Sequence, residues 1–255
     1  MPLTVEPVPC LTDNYAYLLY DPADALCAVV DPSEPEPVKR ALAARGLTLT
    51  HILNTHHHFD HTGGNVPLKE EFGAVVVGPE KDRERIPALD TGLTEAAPWQ
   101  FGSHTARILE IPAHTRAHIA FVFGDEGVAF TGDTLFAMGC GRLFEGTPQM
   151  MWSSLSKLMQ LPNDTLIYCG HEYTLSNGRF ALTVEPDNQD LQVRMRAVAE
   201  LRAQSHPTVP STMGLEKKTN PFLRPASLEI RHTLGMENAD NAAVFAEIRR
   251  RKDVF

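Results

Sequence analysis

The stretch NTHHHFDHTGGN, residues 54–65, holds four histidines and one aspartate within six consecutive positions. Such a run is compatible with a solvated polar loop, an imidazole-rich helix face or a metal site. In an extended segment, His56 and His58 point to one side and His57 points to the other. His56 and His58 can therefore share one metal ion. Asp60 and His61 lie beyond a bend and can reach a second ion.

Four predicted strands each run directly into a possible metal ligand. These are HILNT before His56, RILEIPA before His114, VAFTG before Asp133 and LIYCG before His171. Sheets of α/β proteins tend to place ligands where strands end. Neutral imidazoles together with carboxylates suit Zn, Fe or Mn. The pattern predicts a metal centre that is completed by residues far apart in the chain.

Short β-prone segments alternate with helical patterns in the first two thirds of the chain, which indicates a layered α/β architecture. Residues 32–46 and 148–160 are predicted helices, and Asp125-Glu126-Gly127 predicts a hairpin turn. Charged and proline-rich residues at 79–100 predict a surface connection. The residue types also predict that Thr147 caps the second of these helices.

The character of the sequence changes past about residue 172. Leu191, Met195, Val198 and Leu201 form a helical stripe, and we expect no strand after about residue 170. Residues 206–222 are expected to be a long polar connection. The chain is therefore predicted to hold two domains, 1–171 and 172–255.

Composition excludes several classes of protein. The 255 residues are 43% hydrophobic, which argues against global disorder, and the net charge of −9 makes nucleic acid a poor default partner. No stretch approaches the roughly 20 apolar residues of a membrane span. MPLTVEPVPC lacks a secretory pattern, and the four cysteines are widely spaced. We expect a cytoplasmic monomer with free thiols.

The exception to the acidic composition is IRRRKD, residues 248–253. A solvated helix end explains it, because cations are favoured near a helix C-terminus. The alternative is a site that binds an anionic ligand.

Several motifs together resemble a known family. The segment THHHFDH is similar to the THxHxDH signature of the metallo-β-lactamase superfamily, and further matches are PAHTRAH at 112–118, TGD at 131–133 and GHEYT at 170–174. More narrowly, the chain resembles the hydroxyacylglutathione hydrolases, or glyoxalase II, in PCLTDNYAYLL at 9–19, GDTLFAMGCGRLFEGT at 132–147, NPFLR at 220–224 and the terminal RRRKD. The resemblance implies an αββα sandwich followed by a smaller, mostly helical C-terminal domain.

The resemblance also implies a set of metal ligands. The first ion would be held by His56, His58 and His114, the second by Asp60, His61 and His171, with Asp133 bridging the two. The cofactors would be two divalent metal ions, with Zn the first choice and Fe or Mn compatible with the same ligands. Two such ions can share a hydroxide that attacks a carbonyl carbon, and Asp60 and Asp133 would be the catalytic residues.

The implied substrate is a glutathione thioester, S-D-lactoylglutathione, which would be hydrolysed to D-lactate and glutathione in methylglyoxal detoxification. By resemblance, the glutathione part would contact Arg142, Phe144, Tyr173, Arg249 and Lys252. Some members have tyrosine where Phe144 stands and lysine where Arg142 stands. The first difference removes one possible hydroxyl contact.

The sequence is compatible with other functions. The residues alone permit hydrolysis of lactones, lactams or phosphoesters. The alternative function is another hydrolase or oxygenase of this fold, acting on a different thioester, persulfide or lactone. A persulfide dioxygenase would use one iron and would not need the second ligand set. A metal-binding protein without turnover is a further alternative from a different class.

The remaining histidines and two cysteines are assigned structural or solvated roles. His51, His57 and His118 are expected to be structural, and His104, His206 and His232 to be solvated. Cys140 and Cys169 are expected to be small buried thiols and not nucleophiles.

Overall fold

The computed structural model describes residues 3–255. Residues 1 and 2, at the start of the stretch that lacks a secretory pattern, lie outside the described part. The chain divides into two compact units. Unit 1 comprises Met1–Glu110 and Ala117–Gly132, and unit 2 comprises Ile111–Arg116 and Asp133–Phe255. This division does not coincide with the predicted domain boundary at 171/172, which stays a prediction.

Unit 1 begins with a mixed sheet whose strands follow one another in chain order. The first three strands pair antiparallel and the later ones parallel. The strands are β1 (Thr4–Cys10), β2 (Asn14–Asp21), β3 (Leu26–Val30), β4 (His51–Leu53), β5 (Val75–Pro79) and β6 (Thr91–Leu93). The helices between them are α1 (Pro35–Arg45), α2 (Phe59–Thr62) and α3 (Asn65–Phe72).

Helix α1 illustrates why these residues fold as predicted. It starts at a proline, which suits the first helical turn, and ends at Gly46, whose φ of 64° is a left-handed cap. Val38 and Leu42 are buried in one core with Ile52 and Val76 from the sheet. The apolar spacing of α1 therefore covers one face of the sheet and leaves the charged residues outside.

The second set of strands in unit 1 is antiparallel throughout. It contains β7 (Trp99–Phe101), β8 (His104–Glu110), β9 (Ile119–Phe123) and β10 (Val128–Gly132). The predicted hairpin at 125–127 is confirmed, because Val128 pairs with Phe123. Aromatic rings of these strands contact rings of the first sheet: the centroids of Phe130 on β10 and Tyr17 on β2 are 5.7 Å apart. The two β layers of the expected sandwich thus share an aromatic core.

The segment 79–100 lies largely at the surface, as expected, but it is more than a connection. This segment contains a short 3₁₀ helix at Glu80–Asp82 and the two strands β6 and β7. Each strand has only three residues, which is too short for a period-two pattern to be visible in the sequence.

Unit 2 consists mainly of helices with a few short strands. Its elements are β11 (Leu135–Phe136), β12 (Gly139–Cys140), α4 (Pro148–Leu158), β13 (Leu166–Cys169), α5 (Thr174–Val184), α6 (Gln189–Ala203), β14 (Ser211–Thr212), α7 (Met213–Thr219), α8 (Leu228–Leu234) and α9 (Asn241–Asp253). Thr147 caps α4 as predicted, accepting a hydrogen bond from the Met150 amide.

No helix among the described residues is long and apolar enough to cross a membrane.

Two expectations about the end of the chain are wrong. A strand does occur after residue 170, because β14 pairs antiparallel with β13. The predicted polar connection at 206–222 contains β14, α7 and most of a 3₁₀ helix at Pro221–Leu223. These elements are two to seven residues long and are held by tertiary contacts, which leave little local signal.

A buried ionic network in unit 2 shapes the hairpin that follows Asp133. Glu216 is fully buried and accepts hydrogen bonds from Arg194 Nη2 at 2.6 Å, from Asn220 Nδ2 at 3.0 Å and from the Met138 amide at 2.9 Å. Met138 lies in the turn between β11 and β12 with a φ of 54°, which is costly for a side chain of this kind. The Glu216 carboxylate helps to hold that turn in place.

Candidate metal centre

In unit 1, four of the predicted ligands lie on the loop that follows β4. His56 Nε2 is 3.2 Å from His58 Nδ1, and His61 Nε2 is 3.6 Å from Asp60 Oδ2. His56 and His61 are buried, while the Asp60 side chain is 38% exposed. The loop therefore presents two pairs of donor atoms, as the spacing of the motif predicted.

In unit 2, the other three predicted ligands converge on a single oxygen atom. Asp133 Oδ2 is 3.5 Å from His114 Nε2 and 3.2 Å from His171 Nε2. All three side chains are buried. One carboxylate that faces two imidazoles is the arrangement that a bridging ligand requires.

The spacing of these donor atoms can be tested against metal coordination. Two ligands at 2.0–2.1 Å from a tetrahedral zinc ion are separated by about 3.3–3.4 Å. The four donor pairs are 3.2 to 3.6 Å apart. Nitrogen and carboxylate oxygen are also the donor types that zinc, iron and manganese accept. The donor set of each unit thus fits a divalent metal ion.

In two of these histidines, the Nδ1 atom of the ring is hydrogen-bonded to a neighbouring acceptor. His61 Nδ1 lies 3.2 Å from Asp31 Oδ2, and His114 Nδ1 lies 2.9 Å from the Arg142 carbonyl oxygen. A carboxylate or a carbonyl only accepts, so each Nδ1 donates its hydrogen. The Nε2 atoms of His61 and His114 then carry no proton, which is the state that a metal ligand requires.

Sequence reasoning missed three side chains that support the ligands. Asp31 and Thr55 contact the histidines, and Asn14 Nδ2 donates to Asp60 Oδ2 at 3.1 Å. Asp31 follows the apolar strand β3 directly, so it shows the same strand-end pattern as the ligands. Asn14 gave no comparable signal, because a single amide at the start of a strand is ordinary.

The structure confirms that His57 faces away from its neighbours in the motif. Its Nδ1 atom is 3.1 Å from Asp82 Oδ2, and its Nε2 atom is 3.3 Å from Arg85 Nη1. Arginine can only donate, so Nε2 accepts and Nδ1 donates to the buried Asp82. This neutral ring anchors the middle of the loop.

Four of the predicted substrate contacts differ widely in exposure. Tyr173 is half-exposed and stacks on His171 with ring centroids 4.7 Å apart. Phe144 is 61% exposed, and its centroid is 5.2 Å from that of His114. Arg142 is exposed, whereas Arg249 is buried. Tyr173, Phe144 and Arg142 thus lie beside His171 or His114, two of the predicted metal ligands.

Arg249 and Lys252 on α9 have different surroundings. Arg249 Nη1 donates to the Cys140 carbonyl at 2.9 Å, and Nη2 pairs with Asp253 at 2.8 Å. Lys252 Nζ lies over the rings of Phe180 and Phe255 at 5.5 and 4.9 Å. Burial lowers the pKa of Lys252, and the positive charges of Arg249 and Arg142 lower it further. Three cations thus influence one region of unit 2, which favours an anion there.

Comparison with known proteins agrees with this geometry. A family model described as the metallo-beta-lactamase superfamily matches residues 12–171, and one described as the hydroxyacylglutathione hydrolase C-terminus matches residues 172–255. Hydroxyacylglutathione hydrolases of Methylococcus capsulatus and Cereibacter sphaeroides are 52% and 54% identical over 253 and 255 residues, covering 99% and 100% of each chain. The chain belongs to the hydroxyacylglutathione hydrolase family.

A solved structure extends the comparison. The crystal structure of TTHA1623 in a di-iron-bound form is 26% identical, with a TM-score of 0.60, and the alignment covers 88% of this chain and 100% of that one. Membership of the hydroxyacylglutathione hydrolases confirms the predicted metallo-β-lactamase fold with a helical C-terminal part. It also confirms that the chain is a thiolester hydrolase.

A hydroxyacylglutathione hydrolase needs a nucleophile, and the cysteines of this chain are poor ones. Burial raises the pKa of Cys140 to about 11 and that of Cys169 to about 12. Both thiols are therefore protonated at neutral pH, and a thiol is a weak nucleophile compared with a thiolate. The expectation that they are buried thiols is confirmed.

The predictions for the remaining histidines of the chain are only partly confirmed. His51 contacts Trp99 and Phe101, and His118 is fully buried, as expected of structural residues. His206 and His232 are exposed as predicted. The prediction for His104 is wrong: it is buried between Asp21 and Glu126, with its ring nitrogens 2.9 and 2.8 Å from their carboxylates. Its partners are 83 and 22 residues away, so its polar sequence neighbours gave no hint of them.

Proposed function

We propose that the chain hydrolyses S-D-lactoylglutathione to D-lactate and glutathione with the help of two divalent metal ions. The observation that carries the proposal is the single oxygen of Asp133 that faces both His114 Nε2 and His171 Nε2. A carboxylate oxygen in that position can bridge two ions, each of which would also be bound by one of the two histidines.

The proposed ligands are those that the family resemblance implied. His56, His58 and His114 would hold one ion, Asp60, His61 and His171 the other, and Asp133 would bridge them. Zinc is the first choice, because the donor pairs have the separation of tetrahedral ligands; iron and manganese accept the same donors. This assignment is supported by the distances within each unit.

When bound, the metal pair supplies a nucleophile at neutral pH and a Lewis acid for the developing oxyanion. The chain's own residues orient the reactants. Asp60, whose carboxylate is held by Asn14, is proposed to orient the attacking water. The Arg142 carbonyl keeps His114 in the tautomer that leaves Nε2 unprotonated.

The leaving group needs little help from the protein. A thiol has a pKa of about 8.5, so its thiolate departs without a dedicated general acid. This agrees with the site, where the buried thiols of Cys140 and Cys169 are poorly suited to proton transfer at neutral pH. The residues around the scissile bond therefore need only bind and align the substrate.

Glutathione carries carboxylates, and fixed cations on unit 2 are suited to them. Lys252 is partly buried, and the rings of Phe180 and Phe255 hold its ammonium group. Arg142 and Tyr173 are proposed as further contacts, and Phe144 as an apolar wall. Arg249 supports the site through the Cys140 carbonyl; its predicted direct contact with glutathione stays a prediction.

Three further sequence-based assignments belong to the same proposal. Residues 1–171 would form the catalytic domain and residues 172–255 the substrate-binding domain. The protein would act as a monomer in the cytoplasm, on a small molecule and with no nucleic acid or membrane partner. The acidic net charge supports the exclusion of nucleic acid.

The proposal is tested by a panel of thioesters assayed with the metal-loaded protein. S-D-lactoylglutathione, a second glutathione thioester and the matching coenzyme A thioester are compared by kcat/KM. We expect turnover of both glutathione thioesters and at least about 100-fold lower kcat/KM for the coenzyme A thioester, equivalent to the loss of one or two charged contacts. Absence of thioester hydrolysis with two metals bound would contradict the proposed function, and equal rates would contradict the proposed glutathione site.

A further inference from the structure

Asp31 in unit 1 accepts three hydrogen bonds from residues 54–61 (the metal loop), which follow β4 and carry four of the proposed ligands. It directly follows β3, it is 3% exposed, and its φ of 47° is unusual for a residue with a side chain. Its Oδ1 atom accepts from the Thr55 amide at 2.8 Å. Its Oδ2 atom lies 2.7 Å from Thr55 Oγ1 and 3.2 Å from His61 Nδ1. None of these contacts was anticipated from the motif.

The direction of each hydrogen bond follows from the donors and acceptors present. A carboxylate only accepts, so the single hydroxyl hydrogen of Thr55 points to Asp31. The Thr55 oxygen can then only accept from its other neighbour, His56 Nδ1, which is 3.0 Å away. His56 therefore carries its proton on Nδ1, and its Nε2 atom, which lies 3.2 Å from His58 Nδ1, carries none. Asp31 sets the tautomer of His61 directly and that of His56 through Thr55.

Close packing holds Thr55 and His56 in these positions. A Cβ atom on Gly132 would lie 2.3 Å from Thr55 Oγ1 and 2.8 Å from the His118 ring, so the backbone there approaches the pair as only glycine can. The His118 ring in turn stacks on His56, with centroids 4.6 Å apart and planes at 18°. The threonine hydroxyl and the imidazole have little room to rearrange if one partner is lost.

We propose that Asp31 is a positioning residue shared by both metal positions. One carboxylate orients His61, a ligand of one ion, and His56, a ligand of the other. This inference rests on the proposed function, because it assumes that His56 and His61 bind different ions. In this role Asp31 would bind neither substrate nor metal, and would act only through the two histidines.

The test is a titration of the metal-free protein with Zn²⁺ in competition with a chromophoric chelator. Asp31→Asn keeps the size of the side chain and tolerates the positive φ. Both oxygens of Asp31 accept hydrogen bonds, so the NH₂ group of asparagine would meet another hydrogen-bond donor in either orientation of the amide. We expect the affinity for both zinc ions to fall about 10–100-fold, the usual cost of losing an outer partner of a metal-bound histidine.

Variants of Thr55 separate the direct effect of Asp31 on His61 from its effect on His56 through Thr55. Thr55→Val removes the hydroxyl but not the contact between Asp31 and His61, so only one of the two zinc affinities should fall. Thr55→Ser restores the hydroxyl and should restore that affinity. Asp21→Asn is the matched control, since Asp21 is an equally buried carboxylate that accepts from a histidine outside the metal loop, His104. It should bind both zinc ions as the unaltered protein does.

Each result supports or overturns a distinct statement. If the unaltered protein binds fewer than two zinc ions, the proposed function is wrong. If it binds two and Asp31→Asn leaves both affinities unchanged, the role of Asp31 is wrong. A loss in Asp21→Asn as large as that in Asp31→Asn would also overturn it, because burial alone would then explain the effect. Should Asp31→Asn fail to fold, an unchanged pair of affinities in Thr55→Val would overturn the inference.

Discussion

The two units hold their shares of the proposed metal ligands in different ways. Unit 1 supplies four ligands from the six residues 56–61, and side chains such as Asp31 and Asn14 fix them from other parts of the unit. Unit 2 supplies His114, Asp133 and His171 from three separate segments. There the supports are a backbone carbonyl, which holds His114, and a stacked ring, which covers His171.

The difference determines how each unit should respond to substitution. In unit 1, several side chains share the task of orienting the histidines, so a single change weakens a donor pair but leaves the loop anchored by His57 and Asp82. In unit 2, Asp133 is the only carboxylate that faces both histidines. We therefore expect the largest single-residue effect in unit 2.

The largest expected effect is that of Asp133→Asn. An amide nitrogen cannot bind a metal as a carboxylate does, and both histidine partners of Asp133 would lose their shared oxygen. We expect kcat to fall by more than about 100-fold, the upper limit for residues that only support a ligand. Steady-state kinetics on S-D-lactoylglutathione together with metal content measure it. Asp164→Asn, an exposed carboxylate in unit 2, is the control, and a loss no larger than for that control would contradict the bridging role.

The second effect concerns substrate binding alone. Lys252→Met keeps the apolar contacts with Phe180 and Phe255 but removes the charge. A hydrogen bond to a charged group contributes about 1.5–3 kcal/mol, so KM should rise about 10–100-fold with kcat little changed. Arg250→Gln, on the same helix and exposed, should leave KM unchanged. A fall in kcat that exceeds the rise in KM would mean that Lys252 acts in the reaction step and not in binding.

The third prediction concerns the stability of unit 1 away from the metal loop. Burial opposes the charged form of His104, but the carboxylates of Asp21 and Glu126 outweigh it and raise the pKa of His104. The charged form is thus favoured in the folded state. Its contribution to stability is complete below the unfolded pKa of about 6.5 and is lost as the pH rises through the raised folded pKa.

This pH dependence is measured as the thermal midpoint between pH 6 and 9. The midpoint should fall with rising pH in the unaltered protein, and His104→Gln should flatten this part of the profile. Zinc affinity at pH 7 should be the same in both, because His104 contacts no ligand. An identical pH profile in the two proteins would show that His104 carries no such charge.

The smallest expected effect is that of Phe144→Tyr, which introduces the hydroxyl that some family members have. Phe144 is mostly exposed, so the added group has room and costs little. A neutral hydrogen bond contributes about 0.5–1.5 kcal/mol, so KM should fall by no more than about 10-fold, with unchanged kcat. A rise in KM would place the ring of residue 144 away from the substrate.

The comparison of the units also explains how much could be predicted from the sequence. The unit 1 ligands are contiguous, and their alternation in an extended segment predicted which rings would face together. The proposed unit 2 ligands were indicated only by three strands that end in suitable residues, and their assignment to two ions came from the family resemblance. Strands of two or three residues, such as β14, carry too few side chains to show a period.

Long-range polar contacts were the features that the sequence could not predict. Asp31 and His61 are 30 residues apart, and His104 and Asp21 are 83 residues apart. Their pairing depends on which strands are neighbours in the fold. Local composition suggested that His104 was solvated, and burial between two carboxylates overrode that signal.

The central claim is that two metal ions are needed for thioester hydrolysis. The most direct measurement adds Zn²⁺ stepwise to the metal-free protein and records metal bound and S-D-lactoylglutathione hydrolysed at each step. We predict that hydrolysis reaches its plateau at two ions per chain, with little activity from the singly loaded protein. A plateau at one ion per chain, or two bound ions without hydrolysis, would contradict the account.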